Sequence, residues 1–374
     1  MKKILFLMQF PPPVHGASVV NKTISENEFI NACFDAEYVD ISPASEMDDL
    51  GQITFRKVLV TTKIYFIAIK RYLKIKPSLV YLTLSPHGAA FYKDGLLAIF
   101  LKLLGANLVF HMHGKGIAEE ANKSIFKKTL YSLVFKRVDV IHLSKSLFYD
   151  VDPVRDFTRE LIAVPNSVPS PPEVSVKKND HSVTFIYLSN IMRIKGVDTL
   201  IRAASLIPAS FQKRFEVKII GKTESQEYMK EVEELLSKSH YDNLTYLGPR
   251  YGSDKYHELF KSDVFVLPTK NDCFPLTILE AMSSSLTVIS TNMGAITDIV
   301  DDGVTGVVLD ECTPNRLADV MLDFIKNPEK CVKYGAAGRE EYQAKYTPEV
   351  FERNLVCSLE RVIQKNEQRR SGSV

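Results

Sequence analysis

Two stretches carry acidic and basic side chains where a chain entering a helix can grip an anion. The first is Lys270-Asn271-Asp272-Cys273-Phe274-Pro275-Leu276-Thr277-Ile278-Leu279-Glu280-Ala281-Met282, just after the apolar run Val264–Leu267. Pro275 suits a first helical turn, because its missing N–H costs nothing there. The N–H groups of Leu276, Thr277 and Ile278 are then left at the positive end of a helix, an arrangement suited to a phosphate. Glu280 falls about one turn in, among Leu276, Leu279 and Met282, on the side that reads as buried. A buried carboxylate is costly unless it accepts hydrogen bonds, and the vicinal diol of a ribose would supply two donors. Asp272, in the loop over the same helix start, could accept from a sugar hydroxyl. The plainer alternative pairs Glu280 with a neighbouring loop and leaves Asp272 as a solvated turn residue. The second stretch, Leu188-Ser189-Asn190-Ile191-Met192-Arg193-Ile194-Lys195-Gly196, leads into a helix near Gly196. A lysine there can reach a diphosphate as a point charge, although a Lys-Gly before a helix is by itself most often a surface lysine.

The remaining candidates are weaker. His111-Met112-His113-Gly114 ends an apolar run, and the two imidazoles are expected on opposite faces of the strand. Two histidines without a third ligand are insufficient for a metal. Asp150-Val151-Asp152 is the sole Asp-x-Asp and precedes Pro153 in what reads as a loop, so no metal is expected. Gly16, in Pro11-Pro12-Pro13-Val14-His15-Gly16-Ala17, permits close approach of a ligand to the backbone.

The elements that must position these residues are legible as short apolar runs. They are Ile4–Met8, Leu79–Leu84, Leu108–Met112, Val138–Leu143 and Leu161–Val164, then Val183–Leu188, Val217–Ile220, Leu244–Leu247, Val264–Leu267, Leu286–Ser290 and Val307–Leu309. Continuous apolar strands alternating with helices predict parallel sheets covered on both faces, the doubly wound α/β class. The proline-rich, polar stretch after Val164 marks a boundary. We expect a first Rossmann-like domain over 1–170, joined by a C-terminal helix near 350–365, then a linker over 171–182. A second Rossmann-like domain should span 183–348, facing the first across a cleft that holds the site, and 366–374 should be a disordered tail.

The motifs resemble those of the retaining nucleotide-sugar glycosyltransferases of the glycogen-synthase-like, group-1 class. An acid, seven residues, then Glu-Ala-Met with Phe-Pro-Leu inside is similar to that family's signature. The resemblance implies the two-domain GT-B fold and a nucleoside-diphosphate-sugar co-substrate. It also implies a donor-sugar contact for Asp272, where the family usually has Glu, and a ribose contact for Glu280. Phe274, Leu276, Thr277 and Gly16 join the donor-binding set. Lys195 matches the lysine of the family's Gly-Arg-Leu-x-x-x-Lys-Gly motif, which clamps the leaving diphosphate. Asn190 stands in the arginine's place, and Arg193 is a candidate to supply the missing charge. His113 matches a histidine beside the donor sugar. Val164-Pro165-Asn166-Ser167-Val168 and Gly294–Gly306 resemble family segments read as structural.

Composition bounds the rest. The 374 residues are 45% hydrophobic and 25% charged, ordinary for a folded chain, and five scattered cysteines form no metal or disulfide pattern. No apolar run is long enough to span a bilayer, and Ile4–Met8 is too short for a leader's apolar core. The net charge of +2 hides a polarity: Gly51–Arg137 sums to +12 and the remainder to −10. Lys and Arg at 56, 57, 63, 70, 71 and 74 share one arc of a helix, opposite Val58, Leu59, Tyr65, Phe66, Ile69, Tyr72 and Leu73. A basic face flanked by apolar residues fits an anionic membrane surface; a solvated face is the bland alternative. The reading is a metal-independent retaining transferase, cytoplasmic and peripheral at the inner face of the membrane. Its expected acceptor is a saccharide, lipid-linked in the favoured version. No nucleic-acid module is recognisable. A same-fold nucleotide-sugar epimerase and a non-catalytic sugar-nucleotide sensor are the rival readings. A nicotinamide dehydrogenase is disfavoured, because no Gly-x-Gly-x-x-Gly follows the first strand.

Overall fold

The computed structural model describes residues 1–12, 16–42, 55–172, 182–238 and 242–371. Two compact units emerge: Met1–Asn166 with Glu349–Val374, and Ser167–Pro348. The first holds β1 (Lys2–Met8), β2 (Phe34–Asp40), β3 (Leu79–Thr83), β4 (Leu108–His111), β5 (Asp139–His142) and β6 (Leu161–Ala163). They pair in parallel in the order β2-β1-β3-β4-β5-β6. The second holds β7 (Val183–Leu188), β8 (Phe215–Ile220), β9 (Leu244–Gly248), β10 (Val264–Leu267), β11 (Thr287–Thr291) and β12 (Gly306–Leu309). Their order is β12-β11-β10-β7-β8-β9, again all parallel.

β3, β4, β5, β7, β10 and β11 are buried at every residue. Continuous apolar runs make such strands, because helices cover both faces of a parallel sheet. The expected α/β class is therefore the observed one, and the strand ends differ from expectation by one or two residues. β2 is the strand that the runs do not announce. Phe34-Asp35-Ala36-Glu37-Tyr38-Val39-Asp40 lies at a sheet edge, buried only at Phe34 and Val39, so its sequence is mixed.

Three further expectations need correction. Asp150-Val151-Asp152 lies within a 3-10 helical stretch, Lys145–Phe157, and not in a loop. The Asp150 carboxylate is buried and accepts from the N–H groups of Gly116, Ile117 and Ala118 at 2.9–3.2 Å. It thus caps the helix Ile117–Asn122 from a distant part of the chain. The supposed tail continues a helix, Pro348–Ser371, at least as far as Ser371. Asn366 is buried there, accepts from the half-buried Arg159 at 2.5 Å and donates to the buried Asp139 at 3.5 Å, so its amide is satisfied. Ser167–Ser170 group with the second unit, where Val168 exchanges backbone and hydroxyl hydrogen bonds with Tyr346 and Tyr342. Of the expected linker, 173–181 lie outside the described residues.

Candidate functional site

In the second unit β7 is the first strand; β8 and β9 lie to one side of it and β10 to β12 to the other. The chain therefore leaves the carboxyl ends of β7 and β10 toward strands on opposite sides, which makes these ends the switch point of the sheet. Lys195 comes from the loop after β7 and Asp272 from the loop after β10. Lys195 Nζ donates to Asp272 Oδ2 at 2.6 Å, both side chains being mostly buried. The other carboxylate oxygen accepts from the Cys273 N–H at 3.0 Å, which fixes the acid in its turn.

The two loops are bolted together by main chain. Lys270 N donates to Ile194 O at 2.8 Å, and Thr269 Oγ1 donates to the same carbonyl at 3.2 Å. Gly196, at φ +76°, follows the short 3-10 turn Arg193–Lys195. A Cβ there would lie 2.0 Å from Pro268 O, so only glycine permits this approach. Gly294, in the loop after β11, is crowded in the same way: its Cβ would meet Asp272 O at 2.4 Å. Three adjacent strand ends thus converge on the turn that carries Asp272.

The helix after that turn runs Leu276–Ser283. Pro275 is its N-cap residue, extended at φ −72°, ψ 111°, and not part of the first turn as the sequence suggested. Ile278 N donates to Pro275 O at 3.1 Å. That withdraws Ile278 from the expected anion site and leaves Leu276 and Thr277, both half-buried, as its candidate donors. Phe274 is buried edge-on against Tyr346, with ring centroids 6.2 Å apart, which makes it a packing residue in this state.

Glu280 lies on the same helix, its side chain mostly buried. Lys255 Nζ donates to its Oε1 at 2.7 Å. Lys255 belongs to the helix Gly252–Phe260, and its ammonium lies 4.9 Å from the Tyr256 ring centroid. Sequence reasoning missed Lys255. The one available signal was that a half-buried acid requires a cation or several donors nearby. Glu280 is thus paired with a neighbouring helix, and not with the loop of the plainer alternative.

Arg193 and Asn190 are not brought to Lys195. The Arg193 guanidinium pairs with Glu231, lies 4.7 Å from the Tyr228 ring centroid and is largely exposed. Residues two apart in a 3-10 turn point about 120° away from each other, so Lys195 faces Asp272 while Arg193 faces the helix Gln226–Lys238. Asn190 is exposed and donates to Glu224 Oε1 at 2.6 Å.

In the first unit, β4 ends at His111. The two imidazoles, expected on opposite faces, lie on one side with their rings 4.1 Å apart, because residues two apart along an extended chain share a face. His111 is fully buried, with Nδ1 bonded to the Tyr81 hydroxyl. Burial, with His113 and His142 adding repulsion, holds its pKa well below the usual histidine value. His142 is pushed down by burial to about 4. Gly16 starts the helix Gly16–Glu26, with open space where a Cβ would sit; Pro13, Val14 and His15 lie outside the described residues. Among the described residues, no three His, Cys, Asp or Glu side chains are grouped to hold a metal ion. No helix there is long and apolar enough to cross a membrane.

The basic helix spans Phe55–Ile75. Ile64 and Ala68 face the core, whereas Lys63, Lys70, Arg71 and Lys74 are exposed. Leu59, Phe66 and Leu73, each seven residues apart, are more than half exposed. They were expected opposite the cations, yet they share the solvent side with them. Arg56, Lys57 and Val58 lie outside the residues whose side chains are described.

Residues 173–341 match the family model for glycosyl transferases group 1, so the second unit contains a group 1 glycosyltransferase domain. An uncharacterized glycosyltransferase of Methanocaldococcus jannaschii is 30% identical over 146 residues, 39% of each chain. The D-inositol 3-phosphate glycosyltransferase of Thermobifida fusca is 25% identical over 165 residues, 42% of this chain and 38% of its own length. The matched region thus spans about two fifths of these curated relatives. Among solved structures, sucrose-phosphate synthase of Thermosynechococcus elongatus superposes with a TM-score of 0.76 at 15% identity, covering 98% of this chain and all of that one. Anabaena HepE, solved with UDP, gives 0.71 at 17% identity over 96% and 99% of the two chains. At such identities the likeness is one of fold, and that fold is GT-B.

Proposed function

We propose that this chain, through its group 1 glycosyltransferase domain, transfers a sugar from a nucleoside diphosphate to a hydroxyl of a saccharide acceptor, with retention at the anomeric carbon. One observation carries the reading: Lys195 meets Asp272 at the β7–β10 switch point, immediately before the helix that bears Glu280. A cation, an amide-rich helix start and two acids are there collected from separate stretches of sequence.

In the proposed mechanism Asp272 holds Lys195 until the donor arrives. On donor arrival the ammonium exchanges this carboxylate for the diphosphate, and Asp272 accepts from a donor-sugar hydroxyl. Glu280 accepts from the ribose diol, and Lys255 remains beside it to balance its charge. The bond between the anomeric carbon and the bridging oxygen breaks, with its electron pair passing to the diphosphate. Lys195 and the N–H groups of Leu276 and Thr277 favour that change, because negative charge grows where they point. The acceptor oxygen bonds to the anomeric carbon on the same face, and its proton passes to the departing phosphate. His113 keeps the role that the resemblance gives it, a contact to the donor sugar. No step requires a metal.

A uridine donor is the first to test, since HepE was solved with UDP and with UDP-glucose. The exposed cations and apolar residues of Phe55–Ile75 support an anionic inner membrane surface as the place of work, with a lipid-linked acceptor in surface polysaccharide or glycolipid synthesis. The test is turnover of the best sugar nucleotide, first chosen by protection against unfolding. Lys195→Ala should lower kcat about a hundredfold or more, Arg193→Ala should change it less than threefold, and the product should keep the donor's anomeric configuration. Equal rates for parent and Lys195→Ala, or an inverted product, would overturn the mechanism.

A further inference from the structure

The structure contains a second cationic site, at the opposite edge of the first unit's sheet from the carboxyl ends of its strands. A cavity of about 900 Å³ is lined by Lys102, Lys136, Arg137, Arg159, Arg369 and Arg370. These come from the end of the helix Gly88–Leu103, the turns into β5 and β6, and the C-terminal helix. Among the described residues no carboxylate lines it. Of the acids nearby, buried Asp139 pairs with one of these cations, 3.8 Å from Arg159 Nη1, and accepts from Asn366, while Glu160 pairs with Arg361 and, at 2.8 Å, with Lys365.

The cations are held in place. Lys102 Nζ donates to the carbonyls of Leu133 and Val134 at 2.6 and 2.8 Å, closing the C-terminus of the helix Ile125–Phe135. Arg370 donates to Gly105 O at 3.3 Å, and Arg159 and Arg369 both donate to Asn366 Oδ1. Arg137 has φ +61°, in the left-handed region that a residue with a Cβ rarely adopts, and its N–H is fixed on Phe157 O at 2.8 Å. Six cations offset by one buried acid, Asp139, keep a net positive charge and repel one another, and a multivalent oxyanion relieves that repulsion. Guanidinium groups suit phosphoryl oxygens in particular.

The rim indicates the source of the phosphoryl group. Tyr92, Leu96, Phe100 and Leu103 form an exposed stripe at helical spacing on Gly88–Leu103, and Leu103 at the cavity is 77% exposed. On the adjoining helix Phe126, also 77% exposed, and Leu133 lie seven residues apart on one face. Two apolar stripes therefore run toward a cavity that attracts anions. Exposed aromatic and aliphatic stripes have no role in binding a soluble phosphate ester, but they fit acyl chains. We propose that this cavity is a headgroup site for an anionic phospholipid, with Leu103 and Leu133 against its chains. The proposal deepens the membrane part of the function given above and is independent of the donor site.

The experiment is sedimentation of the full chain with vesicles of phosphatidylcholine, alone or with 30 mol% phosphatidylglycerol. The triple variant Lys136→Glu, Arg137→Glu, Arg370→Glu is compared with an equal charge change elsewhere, Lys213→Glu, Lys230→Glu, Lys333→Glu. The parent and the second variant should bind the anionic vesicles at least tenfold more tightly than the neutral ones, and the cavity variant should lose most of that preference. Equal loss in both variants, or no loss in either, would overturn a defined site. Circular dichroism checks the fold, and Arg370→Gln alone, at an exposed helical position, should give a smaller loss in the same direction if the triple variant unfolds. Calorimetry with sn-glycerol 3-phosphate and inorganic phosphate distinguishes the sources: tight binding of either, with no vesicle preference, would assign the cavity to a soluble ester and overturn the lipid proposal. Failure of the parent to bind any sugar nucleotide would count against the donor site and leave the vesicle result standing.

Discussion

Single residues in this protein are set by what surrounds them more than by their type. Lys195 and Arg193 stand two positions apart in one turn, yet one is buried on Asp272 and the other lies on Tyr228 in solvent. His142 illustrates the same point through its proton. Its folded pKa of about 4 lies below the usual 6.5, because burial disfavours the charged form. The unfolded chain takes up that proton near pH 6.5, while the folded chain refuses it until about pH 4. Stability is therefore full above pH 6.5 and falls as pH drops through this window, by roughly 3 kcal/mol for this group. His142→Gln should flatten that part of the acid limb when urea midpoints are compared at pH 7 and pH 5. An unchanged slope would show that His142 does not drive it.

At the scale of elements, the apolar runs named eleven of the twelve strands among the described residues, because central parallel strands under two helical layers are apolar throughout. Phe34–Asp40 escaped because Asp35, Glu37 and Asp40 interrupt its apolar run, which its partly exposed edge position permits. The loops that carry Lys195 and Asp272 could be read as helix entrances, but their mutual contact depends on strand order, which no local pattern encodes. Lys255 was hidden for that reason: it reaches Glu280 across a helix–helix packing that periodicity does not report. Asp150 was hidden likewise. It satisfies three N–H groups more than thirty residues away, where a local cap would use the residue before the helix. Asp150→Ala should cost about 2 kcal/mol, as the loss of a cap and its buried acceptor. The melting temperature should then fall by roughly 4–8 °C; a shift below 1 °C would mean that water replaces the carboxylate without loss.

Across the whole molecule the dominant feature is charge. The +12 of Gly51–Arg137 could be counted in the sequence, but its placement could not. Part lies on Phe55–Ile75 beside Leu59, Phe66 and Leu73, and part joins Arg159, Arg369 and Arg370 at the cavity. Arg56→Ala, Lys63→Ala, Lys70→Ala and Lys74→Ala together should weaken sedimentation with anionic vesicles at least fivefold, with the difference shrinking as salt is raised. Salt-independent or undiminished binding would leave this helix as a solvated face. The central claim is that Lys195 and Glu280 grip one nucleotide at the β7–β10 switch point. Calorimetric titration of UDP into the parent, Lys195→Ala and Glu280→Ala tests it most directly. The account predicts a loss of affinity of tenfold or more in each variant, with folding intact; parent-like affinity in both would contradict it.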